Sequence, residues 1–144
     1  MEAIGLLGML GITTYEDIHR KEVHSIILLA FAILGMAFHL IFHKLGIYDI
    51  LGGFAIGGLM MILCLLSKER IGMGDAILLM VTGIYLGFLK NLFLLWASLS
   101  FMGIFCLFGY LMKKIKKEDR IPFYPFVLCA FLVMLMISGG DLYA

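Results

Sequence analysis

The chain has 144 residues, of which 63% are hydrophobic and 15% charged, and its mean hydropathy is +1.10. So few charged groups cannot clothe a water-soluble globule, in which about a quarter of residues carry charge, and this leaves the bilayer as the solvent. A net charge of +1 gives no electrostatic footprint for nucleic acid, and three cysteines without CxxC spacing exclude a zinc ribbon or a disulfide framework.

Apolar runs separated by short polar breaks predict about six membrane spans. The first covers residues 2–18; it has no basic segment ahead of it and reads as a retained span rather than a removable signal. It ends in "TTYEDIHRKEVHS", which carries Glu16 and Asp17. The second, 24–43, holds His39 and His43 four apart, too few for a zinc site that needs about three protein ligands, so interfacial anchoring or hydrogen bonding is expected of them. The third, 48–66, contains Gly53 and Gly57 at the spacing that lets membrane helices approach closely.

"IGMGDAILLM" opens the fourth, 75–90, which repeats that spacing at Gly83 and Gly87; Lys90-Asn91 divides it from the fifth, 91–112. "IPFYPF" leads into the sixth, 121–138, where Pro122 and Pro125 fall at a helix start and a missing N–H costs least. The fold class expected is therefore all-α, a polytopic membrane helix bundle of about six transmembrane helices, with residues 1–144 forming a single membrane-embedded domain. Cys64, Cys106 and Cys129 are expected as small apolar core residues. The glycine pairs are expected to pack helices within one chain, with a homo-oligomer seam as the alternative.

Every Lys and Arg except Lys44 and Lys90 lies in the breaks after the first, third and fifth spans. The bias of basic residues toward the cytoplasm puts those breaks inside and both termini on the non-cytoplasmic side. Asp17 and Asp75 then share one depth at the cytoplasmic membrane face. Ionisable groups at membrane depth are costly and mark function by default. Asp75 alone could be a helix cap, and Asp17 alone an interfacial carboxylate balanced by Arg20 and Lys21. As a pair they suit acid–base chemistry: like charges at close range share a proton, the ionised member activates water, and the protonated member assists the leaving nitrogen. Gly72 and Gly74 leave room for an extended peptide beside Asp75. No metal or cofactor is called for.

"GMGD" at the head of a span, an earlier aspartate at the end of a span followed by a short basic segment, and "IPFYPF" together resemble the type IV prepilin peptidases, membrane aspartyl proteases of the GxGD type. The length is most similar to the short form found in tight-adherence pilus systems. The resemblance implies that Asp17 and Asp75 are the catalytic pair, that Gly72 and Gly74 belong to the second motif, and that Pro122 lies by the site. It further implies that the partner is a prepilin or pseudopilin precursor whose basic leader is removed ahead of its apolar helix. The N-terminal region tied to N-methylation in longer enzymes has no counterpart, so methyltransferase activity is not expected. Two departures concern substrate contacts and tuning: Val23-His24-Ser25 stands where Ile-Pro-Asn is common, and Ala76-Ile77-Leu78 supplies no Lys after Asp75.

Two other classes fit the composition: a small proton-coupled transporter with the aspartates as a relay, or a non-catalytic pilus or secretion assembly protein. Glu16, Glu22 and Glu69 are further carboxylates that could attract a basic leader, Glu16 being the nearest in sequence. The run Lys113 to Arg120 suits anionic lipid headgroups.

Overall fold

A computed structural model describes residues 2–20, 24–42, 45–67, 72–116 and 121–139. Five helices account for nearly all of them: α1 (Glu2–Arg20), α2 (Ser25–Phe42), α3 (Ile47–Leu66), α4 (Met73–Leu111) and α5 (Tyr124–Ile137). No strand occurs among the described residues. α2, α3 and α4 are long and apolar enough to cross a membrane. α5, at 14 residues, is about 21 Å long at 1.5 Å per residue, short of the ~30 Å hydrocarbon core.

The helices keep apolar side chains on their outer faces. In α2 only Leu28, Gly35 and His39 are buried, a stripe at helical spacing, while Ile26, Leu29, Ile33, Leu40 and Ile41 stay exposed. A helix apolar all round, with one narrow buried stripe, suits a bundle bathed in lipid. The core joins Leu6, Met9 and Leu10 of α1 to Val127, Ala130, Phe131 and Met134 of α5 and to Leu78, Val81 and Tyr85 of α4. Cys64 is buried as expected, Cys106 is half-buried, and Cys129 is exposed on α5 instead of in the core. An apolar thiol facing lipid loses little, so burial is not required of it.

α3 and α4 meet backbone to backbone. A Cβ on Gly53 would collide with the Gly83 carbonyl, a Cβ on Gly83 with that of Gly53, and one on Gly57 with Met80. The expected close approach is thus made within the chain by Gly53, Gly57 and Gly83. Gly87 serves a different end: φ 75° and ψ −178° interrupt α4 there, a backbone region that is essentially glycine-only.

In a straight helix Leu79 and Asn91 would stand about 18 Å apart. Instead Asn91 Nδ2 donates to Leu79 O at 2.9 Å and to Gly53 O at 3.0 Å, and its Oδ1 accepts from Thr82 Oγ1 at 2.8 Å. α4 therefore breaks into two limbs that fold against each other. The division expected at Lys90-Asn91 lies at Gly87, because the polar Asn91 is not a loop residue but a buried knot between limbs.

Helix α5 begins at Tyr124, so Pro125 lies in its first turn while Pro122 precedes it. The ends of α1, the start of α4 and the start of α5 come together at one end of the bundle through this packing. Lys21, Glu22, His43, Lys44, Lys68, Glu69, Arg70, Ile71, Lys117 and Arg120 lie outside the described residues.

Candidate active site

Asp17 sits in the last turn of α1, where exposed carbonyl ends disfavour a negative charge. Its compensation comes from α5. The first N–H groups of a helix lack intrahelical acceptors; those of Phe126 and Val127 turn back to Phe123 O at 3.0 and 3.3 Å. The Tyr124 N–H donates to the Asp17 carboxylate. A side chain of α1 thus caps α5 and gains the positive end of that helix. The other oxygen, Oδ2, is buried and accepts no hydrogen bond, and neither does buried Thr14 Oγ1 one turn earlier. Both fall on the same side of α1 by their spacing.

Asp75 lies one turn into α4. Gly72 is the residue at the helix boundary, extended at φ −62° and ψ 126°, and Asp75 N–H donates to Gly72 O at 3.1 Å. A simple capping role for Asp75 is therefore not the arrangement found; its half-buried carboxylate stands at the third helical position, where the macrodipole favours an anion. The charges of Asp17 and Asp75 are close enough to act on each other. Asp17, at the C-terminal end of α1 against the start of α5, and Asp75, in the first turn of α4, therefore share one corner of the bundle.

The glycines shape this corner. A Cβ on Gly72 would stand 3.0 Å from Asp75 Oδ2, and one on Gly74 would stand 3.1 Å from the Tyr124 hydroxyl. The hydroxyl donates to Gly74 O at 2.9 Å. The two glycines let the Asp75 carboxylate lie against Gly72 and the Tyr124 phenol reach Gly74. After Asp75, Ala76 and Leu78 are fully buried and Ile77 packs against the core. The segment without a lysine is part of the apolar core.

Tyr124 was not singled out within "IPFYPF". It is 2% exposed, and a buried phenol needs a hydrogen-bond partner, the signal that would have pointed to it. Pro122 is half-buried in the segment before α5. Glu16 is tied to His24: its Oε1 lies 3.6 Å from His24 Nδ1, and its Oε2 accepts from His24 N–H at 3.5 Å. It fastens the start of α2 to the end of α1. Glu22 and Glu69 are outside the described residues.

Comparison with curated proteins and with solved structures finds no match. A family model matches residues 4–139, a span that contains both aspartates, both motif glycines and the α5 start. The chain belongs to the type IV leader peptidase family.

Proposed function

We propose that the chain is a membrane aspartyl endopeptidase that removes the short basic leader from prepilin-like precursors at the cytoplasmic membrane face. The observation that carries this reading is that Asp17 of α1 and Asp75 of α4 both stand at Tyr124, whose N–H meets Asp17 and whose O–H donates at 2.9 Å to the carbonyl of Gly74, the residue before Asp75. Family membership supports peptidase chemistry, and the apolar helices support a membrane location.

Asp17 and Asp75 hold one proton between them, since two carboxylates at close range do not both ionise easily. The ionised member takes a proton from water as it attacks the scissile carbonyl. The protonated member donates to the carbonyl oxygen and then to the leaving nitrogen. The unpartnered Asp17 Oδ2 is free to face the reacting water or the peptide. Gly72 and Gly74 admit an extended peptide beside Asp75, and Pro122 borders the same corner. Glu16 adds negative charge that draws in the basic leader.

In this reading the basic residues at the breaks orient the chain with its termini outside, the six expected spans being α1, α2, α3, the two limbs of α4, and the short α5. The substrate's leader then stays in the cytosol while its apolar helix lies against the bundle.

Co-expression with a candidate precursor, followed by precursor size on a gel, tests this reading. The intact chain should shorten the precursor at the leader, and Asp17→Ala and Asp75→Ala should each leave it uncut. Processing that survives either change would overturn the pair.

A further inference from the structure

We propose that Tyr124 is a positioning residue that pins the two aspartates at a fixed separation, its N–H holding Asp17 and its O–H holding the first turn of α4 through Gly74. The inference rests on the peptidase reading for its consequence in turnover, but not for its geometry. Asp17 and Asp75 belong to helices that touch each other little: α1 packs mainly on α5, and α4 mainly on α3. The two carboxylates need a common anchor if their spacing is to be held.

Tyr124 supplies one with two groups of one residue. Its backbone N–H is fixed by the start of α5 and ends on the Asp17 carboxylate. Its ring is buried in the core beside Phe123 and Val127. Its hydroxyl reaches Gly74 O at 2.9 Å, one residue before Asp75. The phenol also lies within electrostatic reach of both aspartates. Displacing the hydroxyl releases the α4 end while Asp17 keeps its N–H.

Gly74 fits this use. A methyl there would stand 3.1 Å from the phenolic oxygen, closer than a carbon and an oxygen sit comfortably, and would shift the hydroxyl by a few tenths of an ångström and stretch its 2.9 Å bond to the carbonyl. Without that oxygen the methyl meets no atom within 4 Å. The effect of Gly74→Ala should therefore depend on whether residue 124 is Tyr or Phe.

Two measurements decide the matter. In the first, kcat and KM for a precursor are measured per folded protein for Tyr124→Phe, Gly74→Ala and the double variant. Tyr124→Phe should lower kcat about tenfold or more, since misplacement of reacting groups by about 1 Å costs up to ~100-fold, with KM within about twofold. Gly74→Ala, which only stretches the contact and also borders the peptide, is read on kcat alone and should lower it less than Tyr124→Phe. The double variant should be no worse than Tyr124→Phe within about twofold, because both changes act on one contact. Losses that multiply, or a Tyr124→Phe enzyme at full kcat, would overturn the role.

The second measurement needs no substrate. Spin labels at Ile18→Cys and Met73→Cys, both at exposed positions beside the site, are placed in protein whose own three cysteines are replaced by alanine. Dipolar broadening should report a narrow separation with Tyr124 and a wider or longer one with Phe. An unchanged separation would overturn the pin. A chain that cleaves no precursor yet shows the Tyr124-dependent separation would refute the peptidase reading and leave the pin standing.

Discussion

Replacing Gly53 by Ala puts a methyl group into the Gly83 carbonyl across the α3–α4 contact. The obstacle is backbone, not the end of a flexible side chain, so the two helices must separate. Overpacking costs about 1–3 kcal/mol, and separation also stretches the 3.0 Å bond from Asn91 Nδ2 to Gly53 O. An unsatisfied buried donor adds about 1–3 kcal/mol. The added methyl returns up to about 1 kcal/mol through helix propensity. The net loss is about 1–5 kcal/mol, or on the order of 10 °C in Tm.

Cys64 is a built-in reporter, being fully buried on α3. With Cys106 and Cys129 replaced by alanine, its reaction with a thiol dye in detergent marks the opening of the bundle on heating. Gly58→Ala is the control, because a Cβ there meets nothing within 4 Å, and it should melt at or slightly above the parent. A Gly53→Ala protein as stable as Gly58→Ala would refute the close crossing of α3 and α4.

Gly87→Ala forces a Cβ onto φ 75°, ψ −178°, which costs about 1–3 kcal/mol and should lower the same melting curve by several degrees; an unchanged midpoint would place the break elsewhere. Glu16→Gln removes a charge beside the site and weakens the pairing with half-exposed His24, a contact worth at most about 1 kcal/mol. Its expected signature is a KM for a basic-leader precursor raised a few-fold at low salt, with kcat unchanged. That difference should fade near 1 M salt, where the Debye length is about 3 Å.

Much of the helical layout was legible because composition does the work: long apolar runs must become helices in lipid, and the polar breaks mark where they end. The starts and ends of α1, α2 and α3 follow the expected spans within two residues. Lys90-Asn91 misled because polarity was taken as an exit from the bundle. Asn91 is buried and satisfies itself inside, and the turn is made by Gly87, whose apolar surroundings hide it. Gly83 and Gly87 share a spacing but not a purpose, one packing against Gly53 and the other bending the chain.

At the site, the aspartates were legible as charges where charge is expensive. Their helix-end environments were only half legible. The position of Asp75 behind two glycines pointed to a helix start, whereas the capping of Asp17 by α5 depends on packing between residues more than a hundred positions apart. Tyr124 was hidden for the same reason, since its partner Gly74 lies 50 positions away. The tie of Glu16 to His24 joins the end of α1 to the start of α2, and composition alone does not show it.

The paired action of Asp17 and Asp75 is tested most directly by turnover of one purified precursor in lipid vesicles by the parent, Asp17→Asn, Asp75→Asn and the double variant. Groups that act as one unit lose their effect together. Each single change should reduce cleavage to the level of the double variant, at a folded fraction equal to the parent's. Substantial cleavage by either single variant, or losses that multiply in the double, would contradict a shared two-aspartate site.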